Sequence, residues 1–182
     1  AGAEFTLSGT FVNNETHKTE KLEIPFATTG NVFSFAGMNY GGKEYSLVAG
    51  ETYTLTETTA PSGYELVDAF QFTVGTDGNI VEAGDSKQAA EGEEGFMISS
   101  DQNGAIVLTA HDTPIQVTLE KTSSANSEVV LQNATFELYH GASVEEGVLH
   151  ETLTTDENGL AEFKSLVGGE TYTLHEVTAP AG

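Results

Sequence analysis

Four ionisable side chains lie where the sequence predicts the apolar faces of β-strands, and their types could together form an amide bond. Residues two apart in a strand share a face. Lys121 continues the face of a predicted strand whose earlier inward residues are Ile115, Val117 and Leu119. Glu57 and Glu176 each follow a Tyr-x-Leu alternation, and Asp112 ends an alternating run that begins at Ile106. Taken singly, each charge could reach water from a strand end, but the set of four points to chemistry.

The chemistry that fits this set is the condensation of a lysine amine with an aspartate or asparagine side chain. An unpaired buried charge is so costly that it must be paired, neutralised or chemically consumed. Burial favours the neutral amine, which is a nucleophile, and the neutral glutamic acid. A protonated glutamate can polarise the acceptor carbonyl and relay protons, while fixed contact supplies a high effective concentration. The product is a side-chain amide between two strands, with loss of water from Asp or ammonia from Asn.

The strands that must position these residues occur in a repeat. Residues 46–57 (SLVAGETYTLTE) recur as 165–176 (SLVGGETYTLHE). Upstream, residues 3–7 (AEFTL) match 134–138 (ATFEL). Both pairs keep the same order along the chain, so the sequence predicts two related modules.

Strand and turn signals run along the whole chain. Short runs rich in Thr, Val, Phe and Tyr alternate with turn clusters at 76–79, 101–104 and 156–159. This pattern is typical of an all-β fold built from sandwiches. The acidic insert at 82–95 is predicted to be a mobile loop inside the first module, at most a short helix.

The boundary between the modules falls near Thr113-Pro114. Residues 106–112 read as a closing strand and 115–121 as an opening strand, with proline between them. This is a short, stiff connection. The predicted fold is therefore all-β, with two tandem immunoglobulin-like β-sandwich modules at residues 1–114 and 115–182.

The charge balance excludes several classes of function. The chain has 28 Asp plus Glu against six Lys and no Arg, which gives a formal net charge of −22. Nucleic acid and anionic lipid both need cationic patches, so neither is an expected partner. No apolar run approaches the length of a membrane span. Cysteine is absent, so disulfides cannot stabilise the fold.

The repeated pattern Tyr-x-Leu-x-Glu-x-x-Ala-Pro-x-Gly, at 53–63 and again at 172–182, resembles the E-box of Cna protein B-type domains. These domains occur in Gram-positive pilins and adhesin stalks. Val-x-Leu-x-Lys at 117–121 is similar to the opening strand of that family, residues 134–138 to its next strand and 156–159 to its usual turn. The resemblance implies a prealbumin-like sandwich with an intramolecular Lys–Asn or Lys–Asp isopeptide bond between its first and last strands.

The resemblance also implies roles for single residues. Lys121 is the nucleophile and Glu176 the catalytic acid of the second module, while Glu57 and Asp112 are the catalytic acid and the acceptor of the first. The family more often has Asn as acceptor, so Asp112 is a chemically permitted departure. The first module is expected to lack its lysine strand and the second its acceptor strand, so both are predicted to be incomplete. An alternative is strand exchange, in which Lys121 of one chain meets Asp112 of another.

The predicted function is a structural stalk or pilin segment, extracellular and anchored to the cell wall, with no enzymatic activity beyond its own cross-linking. Its partners would be neighbouring modules or pilin subunits. The alternative is a ligand-binding adhesin module, in which residues 33–40 and the acidic insert bind a host matrix protein or a glycan. No cofactor or metal is expected, because the five histidines lack metal-ligand spacing. Calcium ligation at Asp77, Asn79 and Asp85, or at Asp101 and Asn103, is disfavoured because both look like ordinary hairpin turns and no full EF-hand loop is present.

Overall fold

The structure is a computed structural model that describes residues 2–28, 33–100 and 106–180. Every regular element in these ranges is a β-strand, which confirms the all-β prediction. None of the described ranges contains a helix that could cross a membrane. The turn predicted at 101–104, with the calcium alternative at Asp101 and Asn103, and the E-box glycine Gly182 lie outside the described residues.

The strands before residue 113 are β1 (Glu4–Asn13), β2 (Thr19–Ala27), β3 (Met38–Tyr40), β4 (Lys43–Leu47), β5 (Thr52–Thr59), β6 (Phe70–Val74), β7 (Ile80–Glu82), β8 (Gly95–Ser100) and β9 (Ile106–His111). Those after it are β10 (Val117–Glu120), β11 (Thr122–Ser123), β12 (Asn126–Val130), β13 (Thr135–His140), β14 (Val148–Thr154), β15 (Leu160–Phe163) and β16 (Tyr172–Thr178).

The chain forms two compact units. They are unit 1, with Ala1–Pro61 and Glu65–Thr113, and unit 2, with Ser62–Tyr64 and Pro114–Gly182. The sequence predicts a boundary after residue 114. The structure instead assigns Pro114 and Ser62–Tyr64 to unit 2. Within unit 2 the backbone N–H of Ile115 donates to the carbonyl of Gly63 at 2.8 Å. This bond ties the loop that follows the first E-box to the second repeat.

Unit 1 is organised around β1. This strand pairs antiparallel with β2, β4 and β5, and the sheet path runs β3-β4-β1-β5-β6-β7. Strands β8 and β9 form a separate antiparallel pair. The alternation of Phe5 and Leu7 with polar residues places both side chains in the core, as the two-residue period of a strand requires.

Unit 2 contains a three-stranded sheet of order β14-β13-β16 and the antiparallel pairs β10–β15 and β11–β12. Its buried core consists of Ala134, Phe136, Leu138, Phe163 and Leu166. Two residues predicted to face a core, Val117 and Leu174, are instead exposed. Alternation assigns a side chain to one face of its strand, but the strands that pack over that face decide whether it is covered.

The repeated sequence adopts a repeated strand register. The residues that face each other across the paired strands are Phe5 with Glu57 in unit 1 and Phe136 with Glu176 in unit 2. In both units the register shifts by one residue directly beside this pair. The extra residue is Thr58 in β5 and Val177 in β16, so each glutamate precedes a β-bulge.

Two turns close on aspartate side chains, one in the β6–β7 hairpin and one between β14 and β15. Asp156 Oδ1 accepts hydrogen bonds from the backbone N–H groups of Asn158 and Leu160 at 2.8 and 2.9 Å. Asp77 Oδ1 accepts one from the backbone of Asn79 at 3.1 Å, and its Oδ2 accepts another from the Asn79 side chain at 2.7 Å. These oxygens act as turn acceptors, which agrees with the hairpin interpretation.

The acidic insert at 82–95 contains no helix. Gln88 makes hydrogen bonds with the strands on both sides of the insert. Its backbone N–H donates to Glu82 Oε2 at 3.0 Å, and its side-chain Oε1 accepts from the backbone of Ile98 at 2.8 Å. The insert is therefore a series of turns anchored to β7 and β8 rather than an unattached loop.

Candidate functional site

The backbone of Lys121 is fixed within unit 2. The residue directly follows β10, its N–H donates to the carbonyl of Gly159 at 2.8 Å, and its carbonyl accepts from the N–H of Leu131 at 2.8 Å. Gly159 has φ of +75°, and a Cβ built on it would lie 2.8 Å from the carbonyl oxygen of Lys121. Glycine is thus needed both for the turn and for the close approach to the lysine.

The side chain of Lys121 reaches the glutamate of the second E-box. Its Nζ lies 2.9 Å from Glu176 Oε2 and 5.8 Å from the centroid of the Phe136 ring. Phe136 in β13 is the cross-strand partner of Glu176 in β16. The amine, the carboxylate and an aromatic wall therefore form one cluster in unit 2, in which the ring attracts the ammonium.

This cluster is less buried than the sequence predicts. The side chains of Lys121 and Glu176 are 28% and 30% exposed. Glu176 Oε1 is nevertheless buried and has no hydrogen-bond partner among the described residues. Buried carboxylate oxygens are normally satisfied, so this oxygen marks a position where a further donor would be stabilised.

The equivalent glutamate of unit 1 is almost completely buried. Glu57 is 4% exposed, and its Oε2 accepts a hydrogen bond from the backbone N–H of Val67 at 2.9 Å. Its Oε1 is buried without a partner in the described part of the chain, and so is Oδ1 of Asp112, which directly follows β9. Unit 1 thus has two carboxyl groups that each present an unsatisfied acceptor.

The electrostatics of this pair favour neutral acids. Burial raises the pKa of Glu57, and the negative charge of Asp112 raises it further, although the Val67 N–H opposes the shift. Burial also raises the pKa of Asp112, with an added contribution from the charge of Glu94 that His111 partly offsets. Desolvation and like-charge repulsion act in the same direction on both groups.

The four residues singled out from the sequence form two half-sites. Unit 1 holds Glu57 and Asp112, and unit 2 holds Lys121 and Glu176. Within the described ranges, no lysine forms an ion pair with Glu57 or Asp112. Lys121 has Glu176 as its hydrogen-bonded side-chain partner and no bonded Asp or Asn there. Unit 1 thus holds a glutamate and an aspartate, and unit 2 holds a glutamate and a lysine.

The tyrosine of each E-box has a structural role that the sequence interpretation does not predict. The hydroxyl of Tyr53 accepts a hydrogen bond from the N–H of Val48 at 2.7 Å and donates to the carbonyl of Thr10. The hydroxyl of Tyr172 accepts from the N–H of Val167 at 3.0 Å. Valine lies five residues before tyrosine in both copies, so the repeat itself contained the signal.

Two of the three aromatic residues considered as a ligand surface pack against the core of unit 1. Phe33 stacks on Phe26 at a centroid distance of 3.9 Å and contacts Phe35 edge-to-face at 5.6 Å. Both Phe33 and Phe35 pack against the buried cluster, whereas Tyr40 is exposed. The structure therefore gives no support to the adhesin alternative at residues 33–40.

The described residues contain no cluster of side chains suited to bind a metal ion. Across residues 2–28, 33–100 and 106–180, no group of three or more His, Asp or Glu side chains is placed to hold an ion. His140 instead stacks on Tyr172 at 5.0 Å and lies 3.1 Å from Glu170.

Comparison with known proteins gives a family. No curated protein matches the chain at a significant level. The solved structures that match include a C-terminal fragment of the pilus adhesin SpaC from Lactobacillus rhamnosus GG, with 23% identity, a TM-score of 0.38, and coverage of 100% of this chain and 69% of that one. The Bacillus anthracis TIE protein matches with 23% identity and a TM-score of 0.35 over 98% of this chain and 26% of that one.

The shaft pilin SpaA from Lactobacillus rhamnosus GG also matches, with 15% identity, a TM-score of 0.33, and coverage of 100% and 76% of the two chains. The family model described as the SpaA prealbumin-like fold domain matches residues 1–88 and 115–182. These two ranges contain both E-box repeats and most of the chain. The resemblance to prealbumin-like domains is confirmed, and the chain belongs to the SpaA prealbumin-like fold domain family.

Proposed function

We propose that this chain is a structural segment of a Gram-positive surface protein, a stalk or a pilus shaft, whose modules are closed by Lys–Asp or Lys–Asn isopeptide bonds. The observation that carries the proposal is the contact of Lys121 Nζ with Glu176 Oε2 at 2.9 Å, beside the Phe136 ring. In unit 1 the charge of Asp112 acts on Glu57 and raises its pKa, which supports Asp112 as the acceptor there.

In the proposed reaction Glu176 takes a proton from the ammonium of Lys121. Transfer along the 2.9 Å contact leaves a neutral amine and a protonated glutamate. The amine then attacks the side-chain carbonyl carbon of an Asp or Asn, while the protonated glutamate donates to the carbonyl oxygen. As the new C–N bond forms, the bond from that carbon to the Asp hydroxyl or the Asn amide nitrogen breaks, and the glutamate passes the amine proton to the departing water or ammonia. Glu176 Oε1, which has no partner among the described residues, can accept a hydrogen bond from the N–H or O–H of the Asn or Asp side chain under attack.

In unit 1 the same condensation would use Asp112 as the acceptor. The raised pKa of Asp112 favours its neutral acid, in which the departing oxygen can leave as water. An incoming lysine Nζ forms the C–N bond, the C–O bond breaks, and Glu57 relays the proton. One water is lost per bond, and neither reactant is left with a buried charge.

The consequence of such bonds is mechanical. A covalent link between strands keeps a module closed under tension and restricts the unfolded chain, as a disulfide would. The chain has no cysteine, so an amide is a suitable replacement outside the cell. The expected partners are neighbouring modules or pilin subunits, and the expected location is the cell-wall-anchored surface.

Intact mass spectrometry of the mature protein from its native cell surface tests the proposal. We expect the mass to fall short of the calculated value by one water or one ammonia for each bond. Lys121→Arg should restore one of these losses, because the guanidinium is a poor nucleophile at neutral pH. Lys164→Arg is the matched control, since Lys164 is an exposed lysine paired with Glu162 at 2.8 Å. A full calculated mass in the unsubstituted protein would sink the mechanism.

A further inference from the structure

Lys121 lies where the chain changes its partner strand. Residues 117–120 form β10 and pair with β15, whereas residues 122–123 form β11 and pair with β12. Neither ladder includes Lys121 itself. Because backbone N–H and C=O groups need partners, the segments that bond to this residue from outside the two ladders decide how its backbone lies, and therefore where its side chain points.

Thr155 fixes the segment that bonds to the carbonyl of Lys121. That carbonyl accepts from the N–H of Leu131 at 2.8 Å. The carbonyl of Leu131 in turn accepts from the hydroxyl of Thr155 at 2.8 Å. The same hydroxyl oxygen accepts from the N–H of Ala134 at 3.0 Å. One side chain thus holds both ends of residues 131–134, the segment whose first residue bonds to Lys121.

Asp156 fixes the turn that bonds to the N–H of Lys121. That N–H donates to the carbonyl of Gly159 at 2.8 Å, and the N–H of Gly159 donates to the carbonyl of Asp156 at 3.0 Å. The residues on either side of the glycine, Asn158 and Leu160, both donate their N–H groups to Asp156 Oδ1. A single aspartate therefore places the carbonyl that receives the N–H of the lysine.

The hydroxyl of Thr155 is fully used by these contacts. Thr155 is 2% exposed, whereas the neighbouring Thr154 is exposed. A buried hydroxyl costs free energy unless it is hydrogen-bonded. The Thr155 hydroxyl both donates and accepts, and both of its partners are backbone groups of residues 131–134. It therefore contributes to the placement of that segment, which a valine at this position could not do.

We propose that Thr155 and Asp156 are positioning residues for Lys121. These two consecutive residues hold its carbonyl and its N–H, and so direct its amine toward Glu176. Neither side chain is hydrogen-bonded to the amine, so both act through the backbone. The consequence for the condensation rests on the proposed function: an amine that is held in place reacts at a high effective concentration.

NMR of the purified chain tests the positioning without requiring the amide bond. Thr155→Val removes the hydroxyl, Thr155→Ser keeps it, and Thr154→Val is the matched control on the exposed neighbour. Because Lys121 Nζ lies over the Phe136 ring, the ε-methylene protons of Lys121 should be shifted upfield. We expect Thr155→Val to reduce this shift and to speed exchange of the Lys121 backbone amide about fivefold, the effect of losing one hydrogen bond. Thr155→Ser and Thr154→Val should leave both values unchanged.

Asp156→Ala tests the other arm and should have the same two effects on Lys121. Retained protection of the β13–β16 amides shows that unit 2 is folded in each variant. An unchanged upfield shift in both Thr155→Val and Asp156→Ala would overturn the positioning role. So would an equal effect of Thr154→Val, or a failure of Thr155→Ser to behave as the wild type.

Time-resolved intact mass spectrometry of the mature protein connects this positioning with the chemistry. Thr155→Val should slow the loss of water or ammonia that depends on Lys121 about fivefold, in proportion to the fraction of correctly placed amine. Thr155→Ser should react at the wild-type rate. A wild-type protein that loses no mass refutes the proposed function alone, because the NMR measurements then still decide whether Thr155 and Asp156 place the lysine. Equal rates for Thr155→Val and wild type would count against the positioning role.

Discussion

Replacing Glu57 with glutamine is expected to stabilise unit 1 at neutral pH, whereas the same replacement at Glu176 should destabilise unit 2. Glu57 is 4% exposed, has one oxygen without a partner, and is repelled by Asp112. Glu176 instead lies 2.9 Å from an ammonium. The two glutamates occupy the same position in the repeat, so each is a matched control for the other.

The pH dependence of the stability of unit 1 tests the stabilising direction of Glu57→Gln a second time. Because the pKa of Glu57 is raised above its ordinary value of 4.5, the folded state binds this proton more tightly than the unfolded state. The contribution of Glu57 to stability is therefore fully present below pH 4.5 and is lost as the pH rises through the raised pKa. Glutamine does not titrate, so Glu57→Gln removes this loss.

The expected magnitudes follow from the surroundings of each group. Relief of a buried, unsatisfied carboxylate should add about 1–3 kcal/mol to the unfolding free energy of unit 1 at pH 7, with a smaller gain at pH 4. The Lys121–Glu176 pair is about one-third exposed, and solvent screens it. Its loss should therefore cost about 0.5–1 kcal/mol in unit 2.

Urea unfolding at pH 4 and pH 7, followed by amide NMR signals assigned to each unit, measures both effects. Subtracting the wild-type curve removes the background of the other acidic residues, which titrate in both proteins. A Glu57→Gln variant that is less stable than wild type at pH 7, or whose gain is the same at both pH values, would refute the reasoning. So would a stabilising effect of Glu176→Gln.

Three further outcomes follow from the contacts. Gly9→Ala should destabilise unit 1 by about 1–3 kcal/mol in thermal unfolding, because a Cβ there would lie 2.4 Å from Cδ1 of Tyr53; an unchanged melting temperature would contradict this packing. In urea titrations, Tyr53→Phe should lower the free energy of unfolding by about 2 kcal/mol and Tyr172→Phe by about 0.5–1 kcal/mol. The reason is that the Tyr53 hydroxyl has two backbone partners and the Tyr172 hydroxyl has one. Equal losses would be inconsistent with these hydrogen bonds. A denaturing gel of the purified chain should show only monomer, because the Lys121 backbone is held within unit 2, whereas a covalent dimer lost on Asp112→Ala would instead establish strand exchange.

The fold class and the repeat could be predicted because they depend on local sequence. Alternation predicted Tyr53 and Leu55 on an apolar face, and both are buried. Two copies of one motif likewise predicted two similar strand pairings. The same alternation failed at Val117 and Leu174. Periodicity shows which side of a strand is apolar, but coverage depends on other strands whose pairing involves residues far away in sequence.

The candidate site was predictable in its residue types but not in its geometry. The motif identified the glutamates and the lysine, and the structure adds a 2.9 Å contact between Lys121 and Glu176. The partnerless oxygens of Glu57 and Asp112 could not be foreseen, because burial of a single atom depends on the packing of several elements. The assignment of Ser62–Tyr64 to unit 2 could not be foreseen either, because it depends on contacts with residues that are distant in the sequence.

The β-bulge that follows each E-box glutamate separates two stretches of side-chain alternation. The inward or outward direction of residues before the bulge no longer fixes the direction of those after it. A strand without a bulge transmits a one-residue insertion as a reversal of every side chain beyond it. At Thr58 and Val177 the register is already reset, so loops after the bulge can lengthen or shorten without turning Glu57 or Glu176 outward. Variation in loop length between copies of this module is therefore compatible with an invariant inward carboxylate.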